Sequence, residues 1–251
     1  MEDERSPLDV EPEPARLLDE DPGLVDAVPD EDVEAARAAA RAPVILATHG
    51  RWQPPPPPTS APFVGLLLLD GVLAHEISLG GTGCTELLGR GDLLRPRPHS
   101  ASGSSLACDV SFYVDEPARI AILDGSFMRA SARWPSLMSE MVARCTRRSQ
   151  ALATQLAITF LTGSDVRVHA LLWHLADRWG RVAPDGVVLP LQLSHERLAR
   201  LVRGRRPAIS QGLKLLANRG AVERRADGTW LLRGGPPEEL SRARESPDRP
   251  L

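Results

Sequence analysis

The segment Leu193–Leu232, LSHERLARLVRGRRPAISQGLKLLANRGAVERRADGTWLL, constrains the fold more than any other part of the chain. Ser194 has the side chain of a helix N-cap, with Leu193 just outside the helix. Leu198, Leu201 and Val202 share one apolar face, and Gly204 breaks the chain after about two turns. Pro207 stands where a second helix begins, a position whose N–H has no intrahelical partner to lose. Along that helix Ile209, Leu213 and Leu216 recur at i, i+4 and i+7, so they turn inward together. Gly220 stops it, and Val222 to Leu232 reads as a hairpin about Asp227–Gly228. Short helix, tight turn, second helix and hairpin together describe a winged helix-turn-helix.

The inward set leaves Ser210, Gln211, Lys214 and Asn218 facing outward. A single helix fits the major groove of duplex DNA, and side chains near its N-terminus reach base edges there. Arg205 and Arg206 suit bidentate pairing with guanine, Gln211 with adenine, and Ser210 with a base or a phosphate. These four are the candidate base contacts. Ser194 and His195, at the start of the first helix, lie where free backbone N–H groups attract phosphate. With Lys214 and the wing residues Arg224 and Arg225 they form the candidate backbone contacts. The structural alternative is a small helical interaction module with a solvated basic surface.

Charge is distributed to match. Residues 165–233 hold 13 basic and 6 acidic side chains, a balance of +7, whereas residues 1–42 hold 14 acidic and 4 basic, a balance of −10. A basic module behind an acidic leader suits a polyanion partner. Residues 1–29, rich in carboxylates and proline, are expected to be disordered, with a short helix over Glu31–Arg41. From Val44 to Asp124 short apolar runs are broken by Gly, Pro and Asp, which predicts a small β-barrel or β-roll. Asp70–Gly71 reads there as a two-residue hairpin turn, and Ser78–Cys84 as a second turn. A long amphipathic helix follows over Ser126–Thr162, striped by Trp134, Met138, Met141, Cys145, Leu152, Leu156 and Phe160. At that length it is expected to pair with a second copy of the chain, with Met138, Met141, Cys145, Leu152 and Leu156 in the interface. Gly163 ends it, Ser164 or Asp165 caps the next helix, and that helix runs from about Val166 to Trp179.

Other chemistries find little support. Cys84, Cys108 and Cys145 are odd in number and widely spaced, which suits buried free thiols rather than disulfides or a metal knuckle. His169 and His174 lie about 140° apart around a helix and cannot share a ligand face. No nucleophile elbow or phosphate-cradling loop occurs, so no catalytic residue, metal or cofactor is expected. No apolar run approaches the ~20 residues of a membrane span, and the acidic N-terminus is the opposite of a signal peptide, so a cytoplasmic, non-membrane protein is expected.

The Leu193–Val222 segment resembles the helix-turn-helix of the Crp/Fnr-type bacterial transcription regulators, and its WLL ending resembles their wing. LLGRGDLL, Leu87–Leu94, is similar to that family's Gly-x-Gly-Asp strand turn. The resemblance spans about Val44 to Arg233 and implies a β-roll sensor, a dimer helix and a DNA-binding winged helix. It also implies double-stranded DNA, a second copy of the chain and RNA polymerase as partners. It places Arg205, Arg206, Ser210 and Gln211 at groove-facing sites, and Ser194 and His195 at the DNA backbone. Two departures matter. The cyclic-nucleotide cassette lacks its Gly-Glu and Arg-Ser/Thr pairs, leaving Gly91, Asp92, Arg95 and Arg97 as the residues available to an effector. No cysteine precedes Cys84, which removes the ligands of an iron–sulfur sensor. Pro207 also replaces the acidic residue that often follows the recognition-helix arginine, so the family's operator does not transfer.

The expected fold class is therefore α+β: an N-terminal β-roll of cyclic-nucleotide-binding-like type, a long dimerisation helix and a C-terminal winged helix-turn-helix. The expected boundaries are a largely disordered acidic extension over 1–43, the roll over 44–125, the helix over 126–163, the winged helix over 164–233 and a disordered tail over 234–251. The expected function is a homodimeric, sequence-specific DNA-binding regulator. A cyclic-nucleotide-responsive regulator and a non-DNA-binding interaction protein on the same fold are the alternatives.

Overall fold

The computed structural model describes residues 9–10, 13–57, 62–96, 106 and 108–240, and the chain divides into two units, Met1–Gln150 and Ala151–Leu251. In the first unit, strands β1 (Asp9–Val10) and β2 (Ala15–Arg16) lead into helices α1 (Leu17–Glu20), α2 (Pro22–Val25) and α3 (Val33–Ala39). Strands β3 (Arg41–Ala42), β4 (Val44–Ala47), β5 (Gly50–Trp52), β6 (Phe63–Leu79), β7 (Thr82–Leu88), β8 (Leu93–Leu94) and β9 (Asp109–Asp124) follow. Helix α4 (Gly125–Ser131) comes next, and α5 (Pro135–Thr159) starts in this unit. The main sheet runs β1-β4-β9-β6-β7, with β5 also on β9 and β8 on β6. β6 and β9 are its spine, pairing antiparallel from Phe63–Asp124 to Ser78–Asp109.

The run Leu66–Leu69 in β6 is buried throughout, which a sheet covered on one face does not require. Leu66 and Leu68 pack with Ile45, Leu73, Phe112 and Ile120. Leu67 and Leu69 point the other way, into a core with Leu17, Leu18, Leu24, Phe127, Leu137 and Met141. The second face is closed by α4, α5 and residues 15–42. Residues 15–29, expected to be disordered, fold onto the sheet, and α3 forms within the helix expected over Glu31–Arg41. Burying Leu17, Leu18 and Leu24 contributes roughly 1.5–3 kcal/mol each. The carboxylates that made the segment look disordered are anchors instead. Arg119 donates to both Glu20 carboxylate oxygens at 2.8 and 3.0 Å, and Arg144 pairs with the buried Asp21.

Three further expectations change. Asp70–Gly71 is not a hairpin turn: β6 continues through it as a bulge, with register shifts on both sides. Gly71 holds φ +89, and an added Cβ would sit 2.4 Å from the Pro117 carbonyl oxygen. The expected single helix over 126–163 is two, because the chain turns at Ala132–Trp134 and restarts at Pro135. The cysteines are free but not buried: Cys84 and Cys145 are exposed and Cys108 half-buried. Cys84 lies opposite Ile77, two residue pairs from the Gly80–Gly81 turn of the β6–β7 hairpin, and Cys145 is on the outer side of α5.

The second unit contains the end of α5, then α6 (Ser164–Trp179), β10 (Arg181–Ala183), β11 (Gly186–Leu189), α7 (His195–Leu201), α8 (Arg206–Asn218), β12 (Val222–Arg224) and β13 (Trp230–Leu232). Its sheet has the order β10-β11-β13-β12, so the short strand before α7 joins the wing. Val168, Leu171, Leu172, Leu175, Leu198, Leu201, Ile209, Leu213 and Leu216 are buried there, and aliphatic packing replaces the scarce aromatics. The N-cap of α6 is Gly163 at φ +89, without a side-chain cap, rather than Ser164 or Asp165. Residues 241–251 of the expected C-terminal tail lie outside the described residues. No helix among the described residues is long and apolar enough to cross a membrane.

Candidate nucleic-acid interface

α7 starts at Ser194, whose Oγ accepts from the Arg197 backbone N–H at 3.1 Å. Leu198, Ala199 and Leu201 bury one side, and the helix ends where the Gly204 N–H reaches the Ala199 carbonyl at 2.8 Å. The turn places Arg203 at φ +52, the only described non-glycine residue in the left-handed region. Arg205 is the extended N-cap of α8, and Pro207 sits in its first turn. Ile209, Leu213 and Leu216 point inward with Gly212. Gly212 brings α8 onto the backbone at the start of α6, since an added Cβ would lie 2.9 Å from the Asp165 nitrogen. Gly220 at φ +70 then stops the helix.

The outward side of α8 carries Arg205, Arg206, Gln211, Lys214 and Asn218, all exposed. Ser210 differs from them. It is half-buried, and its Oγ lies 2.8 Å from His195 Nδ1 on α7. The His195 ring also faces Trp230 of β13, centroids 6.4 Å apart at 35°. Burial, then Arg224 and Arg206, hold the His195 pKa below the usual histidine value. The wing turn is fixed by Asp227 Oδ1, which accepts from the Thr229 N–H and hydroxyl at 2.9 and 2.7 Å. Arg224 lies over the Trp230 ring with its Cζ 5.7 Å from the centroid, and Arg225 Nη2 is 3.5 Å from Asp185 Oδ2. The two wing arginines are therefore held differently. Arg224 is exposed, whereas Arg225 is half-buried and paired.

Sequence reasoning missed Arg197 and Arg200, which with Ser194 and Glu196 line an open recess of about 250 Å³. The signal was present as two arginines on the polar side of α7, but a solvated helix face looks the same. It also missed the His195–Ser210–Trp230 junction, which joins residues far apart in sequence.

In the first unit two of the effector candidates, Gly91 and Asp92, are engaged in the fold. Gly91 takes φ +84, and its N–H donates to the Leu68 carbonyl at 2.8 Å. Asp92 is buried, and its Oδ2 accepts from the Gly89 N–H at 2.9 Å. Arg95 is exposed, and Arg97 lies outside the described residues. Nearby, Arg148 clamps Glu86 with two 2.7 Å bonds and donates to the Leu93 carbonyl at 3.1 Å. His75 approaches the same carboxylate at 3.3 Å and stacks on Phe112. In the second unit, His169 accepts from Trp173 Nε1 at 3.1 Å rather than sharing a ligand set with His174. The described residues contain no group of three or more potential metal ligands.

No family model matches the chain, and no curated protein matches it in sequence. Its backbone nevertheless resembles many solved structures. One is a cyclic nucleotide-binding domain containing protein from Listeria monocytogenes EGD-e, with TM-score 0.61 and 16% identity, over 84% of this chain and 95% of that one. Another is a CooA mutant from Carboxydothermus hydrogenoformans, with TM-score 0.59 and 19% identity, over 80% of this chain and 86% of that one. A third is TTHB099, a transcriptional regulator of the CRP family from Thermus thermophilus, with TM-score 0.52 and 15% identity, over 80% of this chain and 96% of that one. At these identities the likeness establishes the fold, which is that of the CRP/FNR regulators.

Proposed function

We propose that the chain is a homodimeric, sequence-specific DNA-binding transcription regulator. The observation that carries the reading is α8: its aliphatic side is buried, and Arg205, Arg206, Gln211 and Lys214 stand exposed on the other. Those side chains supply the fork-shaped and amide donors that read guanine and adenine in the major groove. Arg224 on the wing and Lys214 on the helix supply phosphate contacts, with Arg225 in a lesser role because Asp185 already holds it.

Pairing of two copies is assigned to α5. Val142, Leu152 and Leu156 are 64%, 37% and 54% exposed, and with the exposed Cys145 and Ser149 they recur every three or four residues along one side. That is the repeat of a two-stranded coiled coil. Met141 does not belong to this stripe, since it is buried in the first unit's own core with Met138 packed against that core. The sequence stripe mixed an inward and an outward face of the same helix. The first unit is read as a sensor-like roll without an assigned effector.

Selection of bound sequences from random duplex DNA tests the reading, together with a salt titration. Affinity should fall steeply with salt as phosphate contacts release counterions, and the selected site should be palindromic. Arg206→Ala should relax the base preference, and Arg224→Ala should weaken all sequences alike. Binding insensitive to salt, or an Arg206→Ala protein with unchanged preference, contradicts it.

A further inference from the structure

We propose that His195 couples DNA binding to proton uptake and sets the direction of the Ser210 hydroxyl; this deepens, and rests on, the reading of α8 as a groove-binding helix. His195 opens α7, and its Nδ1 reaches across to Ser210 Oγ on α8 at 2.8 Å. Trp230 of β13 faces the ring. One imidazole therefore touches all three parts of the proposed interface: α7, the recognition helix and the wing.

The charged groups acting on the ring from neighbouring elements are Arg206 of α8 and Arg224 of β12, both cations. On its own helix the next residue is Glu196, whose Oε1 accepts from Arg200 at 3.1 Å. Without DNA, burial and the two arginines disfavour a proton on the ring. A phosphate drawn to Arg224, and the electronegative O6 and N7 edge of a guanine met by Arg206, bring negative charge to the same place and reverse that balance. The ring then takes up a proton as the complex forms.

Protonation changes what Ser210 offers. An imidazolium has two N–H donors, so Nδ1 must donate to Ser210 Oγ. The serine hydrogen is then released toward an acceptor on the DNA, a phosphate or base oxygen. With a neutral ring whose Nδ1 carries no hydrogen, Ser210 spends that hydrogen on His195 and presents only lone pairs. The same serine is thus a donor to DNA in one protonation state and an acceptor in the other.

Fluorescence anisotropy of the full chain with a labelled random-sequence duplex of ~30 base pairs tests this at fixed salt, at about pH 5.5 and about pH 8. Affinity should be higher at acid pH, by up to about tenfold for each unit by which DNA raises the ring's midpoint. His195→Asn keeps a hydrogen-bonding group near Ser210 and should bring the ratio below about twofold, leaving the contribution of His169, His174 and other titrating groups. A histidine Cε1–H NMR titration of the wild type needs no folded variant, and the His195 midpoint should rise on adding duplex. An unmoved midpoint, or equal pH dependence in wild type and His195→Asn, overturns the proposal while leaving DNA binding intact. A wild type that binds no duplex at either pH overturns the DNA-binding reading, and this inference with it.

Discussion

Replacing Gly212 by alanine sets two effects of opposite sign against each other, and the structure decides which wins. Gly212 lies inside α8, where glycine is less favourable than alanine by roughly 0.5–1 kcal/mol. Propensity alone therefore makes Gly212→Ala stabilising. An added Cβ, however, would meet the Asp165 nitrogen at 2.9 Å, the Asp165 Cα at 3.0 Å and the Ser164 carbonyl carbon at 3.1 Å. All three are backbone atoms of the first turn of α6, so no side chain can swing aside. Overpacking of this kind costs typically about 1–3 kcal/mol, which leaves a net loss on the order of 1 kcal/mol. For a unit of this size that lowers the melting temperature by roughly 4–8 °C. Circular dichroism of the full chain, with hydrogen exchange of α8 amides, reads it directly. Asn218→Ala on the exposed side of the same helix is the control and should shift stability by no more than ~0.5 kcal/mol. A Gly212→Ala protein that melts higher than wild type refutes the close approach of α8 to α6.

Leu17→Ala should cost about 2–5 kcal/mol and expose residues 15–42 to protease, because that side chain is fully buried in the first unit; a neutral variant returns the segment to a loose extension. Arg148→Ala should destabilise the first unit by about 3–5 kcal/mol by leaving Glu86 buried without its clamp, as denaturant unfolding would show. For pH, burial raises the Glu86 pKa, but Arg148 and His75 outweigh it and hold the group below the ordinary glutamate value of 4.5. Its contribution is therefore complete above that value and lost as pH falls below it, so Glu86→Gln should flatten the acid limb of the first unit's unfolding curve. Arg203→Gly should stabilise the second unit by about 1 kcal/mol, since it removes a Cβ from a φ of +52; denaturant midpoints that do not rise show the turn to be unstrained.

The winged helix was legible because its signals are local. An N-cap serine, a turn glycine, a first-turn proline, a stop glycine and a 3.6-residue apolar period each act within a few residues of where they stand. Ser194, Gly204, Pro207 and Gly220 all appear in those roles. The Gly80–Gly81 turn between β6 and β7 was read from the same kind of signal.

Elsewhere the outcome depended on partners distant in sequence. Asp70–Gly71 has hairpin chemistry, but β9 runs past it and pairs on both sides, so the extra residue becomes a bulge. The acidic extension has the composition of a disordered tail. Its few leucines find an uncovered sheet face, and Glu20 and Asp21 meet Arg119 and Arg144 from 99 and 123 residues away. The α5 stripe reads as one apolar face, yet Met141 is claimed by the roll while Leu156 stays exposed. The candidate interface follows the same division. The exposed face of α8 was written in its periodicity, but the His195–Ser210 contact exists only because two helices cross. Sequence by itself determined the elements whose cues lie within a turn or two of the chain. Tertiary structure alone decided burial, pairing and which charges meet, because those energies depend on neighbours that no local pattern records.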